Sequence, residues 1–494
     1  MRIRIINTSS HKQAIQVVSK YRGNFKLHKH FGTFNTDIEK QELLKLAKEY
    51  IQECTHQTDM FSNVSPNWKL DEVEIINSQP LYLYKLLTQV YDSLGFGGDP
   101  LIRDLVVARV YQPASKRETN QILTDVFSRP YSLQTIYRHL KSSLSKGLKD
   151  DYQQSLINYA KTELHDTLRL VFYDVTTLAF ASQTKTTLKD FGYSKDHRSQ
   201  DTQIVLGLVV NQQGFPLYFD VFSGNTFEGG TFIGVVLGVQ KLLNNTDLVV
   251  VADAGMLSVK NMDELNEAKI QFVVGARISS LSIEMTNKIV KDLDKKDKAD
   301  TEVEYKGYRL LTDYSIKRAS KDIHDLNKQW EKAKASIIKP DNITRKYRFI
   351  TGSKKTNYSL NTSLKEKAEN IAGIKGYLTN TKLSASMITE KYHDLWKVEK
   401  AFRITKSDLE ARPIFLRLDE TIKAHVTIIF ASLAISKILE IQTGESIHQI
   451  IKTISRIFTH TIQNKNTKQT TILETKLPKS EICGKLNKIY RLGY

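Results

Sequence analysis

The sequence predicts an α/β fold, a mixed sheet flanked by helices. Three observations predict it. Two continuous apolar runs, Leu170–Tyr173 and Leu248–Ala252, each lead straight into an aspartate, Asp174 and Asp253. Short apolar runs that end this way read as buried strands. Between them, Gln203–Val210 and Pro216–Phe222 flank Asn211-Gln-Gln-Gly214, a hairpin signal. Far downstream, Ser384–Lys406 carries its apolar residues at helical spacing.

From the N-terminus, residues 2–6 and 15–19 are short β-prone runs with basic edges, and a helix follows over about 35–53 with Thr36 as N-cap. Residues 1–75 therefore read as a small α+β module. Residues 76–165 read as helical and are expected to bind DNA. Within them a helix, a Pro-containing break and a second helix capped by Ser132 bring forward Thr135, Tyr137, Arg138 and Lys141. That pattern suits a helix-turn-helix reader of the major groove. It suits an ordinary helical hairpin equally well.

From 168 onward strands and helices alternate. After the hairpin come a helix near 229–243, the Asp253 strand, a helix over 258–268 capped by Ser258, and a strand at Ile270–Gly275. Strand, hairpin partner, third strand, helix, strand, helix, strand is the order of an RNase H-like domain. Residues 166–276 are its first part and 381–445 its second. The roughly 110 residues between are too long for a loop in a compact domain. With strand-like runs at 301–312 and 344–351 around a charged helix at 319–337, 277–380 reads as an inserted, β-rich subdomain. Helices at 419–441 and 445–458 pack behind the site, and 446–494 forms basic C-terminal helices and a tail. The Asn-, Thr- and Lys-rich stretch 460–480 is expected to be mobile.

The net charge of +18 is unevenly placed. Residues 1–150 carry +6, 151–300 carry −4, and 301–494 carry +16. The one acidic part holds Asp174 and Asp253. An acidic centre beside strongly basic surface is what a metal site acting on a polyanion needs. A basic surface that merely aids solubility gives the same total. Two cysteines, Cys54 and Cys483, make neither a disulfide framework nor a CxxC zinc site, so a reducing compartment is expected. The start, MRIRIINTSS, lacks the apolar core of a signal peptide. The longest apolar helical stretch, Val426–Ser436, is too short to span a bilayer. The expected location is the cytoplasm.

On the predicted helix Ser384–Lys406 the inward stripe runs Ile388, Tyr392, Leu395, Glu399, Phe402, Lys406. Tyr392, Glu399 and Lys406 fall seven apart, close to one line. A Glu facing the core is costly unless paired or bound to a metal. Acids at the carboxyl ends of buried strands sit where open α/β sheets place ligands. Together, Asp174, Asp253 and Glu399 would hold two divalent cations about 4 Å apart, an arrangement suited to in-line phosphoryl displacement. Oxygen ligands favour Mg²⁺, with Mn²⁺ as a substitute. Taken singly each acid has a plainer reading. An Asp after a strand is usually a turn former, and a helix Glu is usually solvated.

The chain resembles the DDE-type insertion-sequence transposases over roughly 165–425. YDVTTL is similar to the first-Asp motif, with Asp174, and ADAGM to the second, with Asp253. YHDLWKVEKAFRITKSDLEARP is similar to the Tyr-x2-Arg-x3-Glu-x6-Lys signature, placing Tyr392, Glu399 and Lys406 on its Tyr, Glu and Lys. GYSKDHRSQDTQIVLGL and FSGNTFEGG resemble stretches of one branch of the group. The Arg position is Leu395, a departure that leaves Arg403 or Lys397 to grip phosphate.

The resemblance implies an RNase H-like core interrupted by a β-rich insertion. It also implies a DNA transposase acting in the bacterial cytosol or nucleoid, which cuts element ends and joins them to target DNA. Asp174, Asp253 and Glu399 would be catalytic metal ligands. One ion would activate water and later the DNA 3′-hydroxyl, and the other would stabilise the leaving oxygen. Arg403 and Lys406 would hold phosphate, and Tyr392 would lie beside the scissile strand. Each also has a structural reading: a charge at a helix end, or a core Tyr. Lys195 and Arg198 are candidate DNA contacts in a polar loop. Trp330, in the insertion, is a candidate for stacking on an unpaired base, though a lone Trp more often packs. The partners implied are double-stranded DNA, as terminal inverted repeats and target, and a second protomer when DNA is bound. A structure-selective nuclease of the same fold, or a DNA-binding descendant without activity, stays open.

Overall fold

The computed structural model describes the chain apart from residues 9–11, 22–23, 35, 56–67, 69, 194–199, 245–246, 257, 339–347, 353–357 and 492–494. Its contacts divide into two units, Met1–Glu74 with Asn464–Gln469, and Ile75–Gln463 with Thr470–Tyr494.

In the first unit three antiparallel strands, Arg2–Asn7, Gln13–Tyr21 and Asn24–Phe34, lie in chain order beside the helix Asp37–Thr55. The helix starts on a reciprocal cap. The Glu39 N–H donates to Thr36 Oγ1 at 3.3 Å, and the Thr36 N–H donates to the Glu39 carboxylate at 3.2 Å. Ile15, Val17, Phe34 and Ala47 form its small core.

The second unit opens with the helices Leu81–Ser93, Pro100–Tyr111, Lys116–Asp125, Leu133–Ser145 and Leu148–Thr162. Polar caps set three of their starts: Asp99 accepts from the Leu101 and Ile102 N–H groups, Ser115 from Glu118, and Ser132 from Thr135. Leu133–Ser145 buries Ile136 and Leu140 against the rest of the unit and leaves Tyr137, Arg138 and Lys141 exposed.

The sheet that follows has eight strands. Its middle is the parallel trio Leu170–Ala179, Val249–Ala252 and Gln271–Ala276, with Leu170 level with Val249 and Val249 with Gln271. On one side the antiparallel strands Gln203–Val210 and Pro216–Ser223 extend it, turned by Asn211 and by Gly214 at φ +75°. These five strands have the RNase H-like order and directions that the sequence predicts. On the other side the sheet continues through Ile374–Thr379, Tyr308–Tyr314 and Asp300–Tyr305, each antiparallel to its neighbour. Three strands of the stretch 277–380 thus extend the central sheet, while Ile350–Thr351 and Ser359–Leu360 pair apart from it. Outside the sheet, the helix Ile316–Ile338 keeps a small core of its own, Leu326, Trp330 and Ala333 with Phe349 and Ala368.

Behind the sheet runs the helix Asp419–Thr443, close to the expected 419–441. By length and composition it could cross a membrane, but 94% of its most apolar window is buried inside the fold. Burial on every side explains why its apolar residues show no stripe. The helix Ile447–Ile454 follows. The stretch 460–480, expected to be mobile, instead carries the hairpin of Thr459–Asn464 with Thr470–Glu474, in which His460 faces Leu473. Alternating Thr and Ile supply the strand pattern that bulk polarity hides.

Candidate active site

The three acids arrive from three elements. Asp174 does not end its strand, as the apolar run alone suggests: the strand continues from Leu170 to Ala179, and Asp174 is the one residue in it that is not fully buried. What ends there is the neighbouring strand. Parallel pairing runs from Leu170 with Val249 to Tyr173 with Ala252 and then stops, so Asp174 and Asp253 leave the ladder side by side. Asp253 is exposed and enters the short turn Ala254–Met256, after which Ser258 accepts from the Asn261 N–H at 3.0 Å to start the next helix.

The third acid sits differently from the expectation. Ser384–Lys406 is not one straight helix with an inward Glu. Ala385–His393 ends, the chain tightens through Asp394 and Leu395, and Trp396–Arg403 begins. The tight step is a pair of i→i+3 bonds, Lys397 N–H to the Asp394 carbonyl at 3.0 Å and Val398 N–H to the Leu395 carbonyl at 3.1 Å. Beyond Arg403 the helix loosens into a π-helical turn, Ile404–Asp408. This overwinding and underwinding rotate the seven-residue line out of register. Tyr392 is buried, Glu399 is exposed, and Lys406 is half-buried. The buried stripe is Ile388, Tyr392, Leu395, Val398 and Phe402. Glu399 therefore needs no buried partner and stays solvated, on a helix that packs against the Asp174 strand.

Tyr392 ties the site together. Its Oη donates to Asp253 Oδ1 at 2.9 Å. Its ring meets Tyr377 edge-on at 4.9 Å and carries the Lys375 ammonium at 4.5 Å from its centre. Burial first, then the Asp253 charge and the bond to it, raise the Tyr392 phenol well above the usual range, so it stays a donor. Gly275 leaves room for this ring: a Cβ there would meet Tyr392 Oη and the Ala254 backbone nitrogen.

Lys375 was not singled out by the sequence. Its strand, Ile374–Thr379, comes from the inserted stretch and pairs beside Gln271–Ala276. Burial holds its ammonium below the ordinary lysine range and the Arg318 charge adds to this, while Asp313, Asp253 and Glu399 pull the other way. Lys375 is therefore within electrostatic reach of two of the three acids. Its sequence signal is one lysine in an otherwise strand-like IKGYLT, too common to stand out.

The remaining predicted residues divide. Arg403 is exposed at the end of the Glu399 helix, where its charge acts on Asp408. Lys406 lies in the π-helical turn. Leu395, at the signature's Arg position, is buried, and Lys397 is paired with Asp394 at 3.0 Å. Trp330 does not face an open surface. It packs edge-on against Phe349 at 5.7 Å, with the Lys365 ammonium 5.3 Å from its ring centre, because the inserted helix needs an apolar anchor of its own. Lys195 and Arg198 lie outside the described residues.

The donors brought together are all carboxylate oxygens, the set that suits a hard divalent cation. Asp174 and Asp253 form the adjacent pair and Glu399 is set apart on its helix. Among the described residues no three acidic, His or Cys side chains are gathered closely enough to hold a metal ion. By donor type the residues fit such an ion.

A family model described as "Transposase DDE domain" matches residues 165–435. Among solved structures, the chain is similar to that titled "Cryo-EM structure of piggyBac transposase synaptic complex with hairpin DNA (SNHP)", with a TM-score of 0.41 and 10% identity, covering 76% of this chain and 79% of that one. No curated protein matches the chain.

Proposed function

Because the chain belongs to the transposase DDE domain family, we propose that it cuts the ends of an insertion sequence and joins them to target DNA by two-metal phosphoryl transfer. The observation that carries this reading is that the parallel pairing between the Asp174 and Asp253 strands stops just before the two acids, which leaves them neighbours, with the Glu399 helix packed on the Asp174 strand. Asp174, Asp253 and Glu399 are the residues that would hold the divalent cations, Mg²⁺ by preference. When bound, the cations supply activation of the attacking hydroxyl and neutralisation of the leaving oxygen.

The chain's own residues do the positioning. Tyr392 fixes one Asp253 oxygen by donating to it. Lys375 offsets the acids' mutual repulsion. Arg403, exposed one turn past Glu399, is placed to hold a DNA phosphate. Double-stranded DNA is the substrate, two protomers hold two element ends, and the reaction takes place in the bacterial cytoplasm.

The test is a plasmid carrying the gene with its native flanking DNA, incubated with purified protein and Mg²⁺ beside a Glu399→Gln variant. Excised or joined DNA from the wild type alone supports the reading. Equal products from both remove Glu399 from the chemistry. Nicking without joining identifies a nuclease, and tight binding without cleavage identifies a DNA-binding descendant.

A further inference from the structure

A second cationic cavity lies away from the acids, and the mechanism above does not use it. It has a volume of about 740 Å³ and opens between the start of the helix Lys116–Asp125 and the segment 410–416 that follows the Glu399 helix. Arg109, Lys116, Arg117 and Arg412 line it against two carboxylates, Glu118 and Glu410. His425 lines it too.

Three of these basic groups are nine-tenths or more buried: Arg109 at 4% exposure, Lys116 at 6% and His425 at 6%. Arg109 spends its donors on the carbonyls of Ala114, at 2.8 Å, and Leu409, at 3.4 Å. Lys116 has no hydrogen bond or ion pair to any described residue. His425 Nδ1 is buried with no partner. A largely buried amine without a counter-charge favours its neutral form, and an anion from outside the chain would supply the charge that holds the ammonium. The helix that begins at Lys116 adds the positive end of its dipole to the same space. Burial, and then the neighbouring cations, press Lys116 and His425 well below their ordinary ranges, and burial takes Arg109 to about 10.

We infer that this cavity is a phosphate-binding site, in which Lys116, Arg117 and Arg412 receive one oxyanion and Arg109 and His425 back them. On the reading of the chain as a transposase, the phosphate is one of the DNA backbone. The rim favours that source over free phosphate. Tyr137, 39% exposed, and Phe415, 65% exposed, stand at the mouth, where a nucleotide base could rest on them.

The test uses the full chain and three proteins, wild type, Lys116→Met and Arg117→Gln, with Lys288→Gln as an exposed control outside the cavity. In thermal melts at matched ionic strength, replacing chloride by inorganic phosphate should raise the wild-type Tm by a few degrees. Lys116→Met should melt at or above wild type in chloride, because a buried amine without a partner is replaced by an apolar side chain, and should lose the phosphate increment. Its phosphate affinity should fall about tenfold or more, the loss of one charged hydrogen bond. Arg117→Gln should keep the wild-type Tm in chloride and lose part of the increment. In DNA titrations, Lys116→Met should lower the salt-dependence slope by about one if the phosphate belongs to DNA. An unchanged slope with a lost increment keeps the site and assigns it to free phosphate. An absent increment in the wild type, or equal increments in all four proteins, overturns the inference. The melts require no cleavage, so failure of the transposition assay alone would leave the cavity's assignment standing.

Discussion

Tyr392 reaches across 139 residues of sequence to donate to Asp253 at 2.9 Å. Asp253 is exposed and follows the last residue of its strand, so water could turn it freely. A buried, rigid phenol holds it instead. Tyr392→Phe would keep the ring against Tyr377 and remove only the donor. Stability should fall by about 0.5–1.5 kcal/mol. Strand cleavage should fall about 10–100-fold, the usual range for a group that orients a metal ligand. Single-turnover cleavage and a denaturant melt on the same preparation separate the two effects.

Gly275→Ala should damage the same contact from the other side. Its Cβ would press on Tyr392 Oη and on the Ala254 backbone. Overpacking of this kind costs about 1–3 kcal/mol. Phe at 392 lacks the crowded atom, so the double variant Gly275→Ala/Tyr392→Phe should be more stable than the sum of the two singles by about 0.5 kcal/mol or more. Strict additivity in melts would mean the two residues do not meet.

Glu440 anchors the Glu399 helix to the buried helix behind it. It accepts from Lys400 at 2.9 Å and Lys437 at 3.2 Å, and is 8% exposed. Burial raises its carboxyl, but the Lys400 bond and the two ammonium charges outweigh that and hold it below the usual range. A depressed carboxyl contributes stability that is present above its unfolded pKa and lost as pH falls through the folded one. Glu440→Gln should cost about 3 kcal/mol at neutral pH. The difference from wild type should persist down to about pH 4.5 and shrink below it, as urea melts across that window would record.

Trp330→Phe should leave DNA joining intact, since the indole fills the inserted helix's own small core. The loss should be about 1–2 kcal/mol, since the smaller ring leaves a void in that core. A variant that melts normally but fails to join DNA would return Trp330 to the DNA surface.

Lys375→Met should leave the acids' repulsion uncompensated. The metal-free protein should melt lower, and the rise in Tm on adding Mg²⁺ should be larger than for wild type. An unchanged increment would place Lys375 outside the influence of the site.

The sequence by itself determined the alternation of strands and helices. Short continuous apolar runs such as Leu248–Ala252 read as strands buried on both faces, and cap residues such as Ser132 and Ser258 mark helix starts by local bonds. It also singled out Asp174, Asp253 and Glu399, because the three occur in combination within motifs that resemble a known family, although each alone has a plainer reading. Only the tertiary structure decided how those acids are presented. Asp174 is reachable because the neighbouring strand stops at Ala252, which nothing in its own strand records. Glu399 faces out because a tight step at Asp394–Leu395 breaks the helical line before it, and the π-helical turn after Arg403 displaces Lys406 in turn, and periodicity alone records neither. Lys375 and Lys116 were invisible for the same reason. A lysine's meaning depends on its burial and on the charges around it: Lys375 meets charges from distant segments, and Lys116 is buried by the tertiary fold.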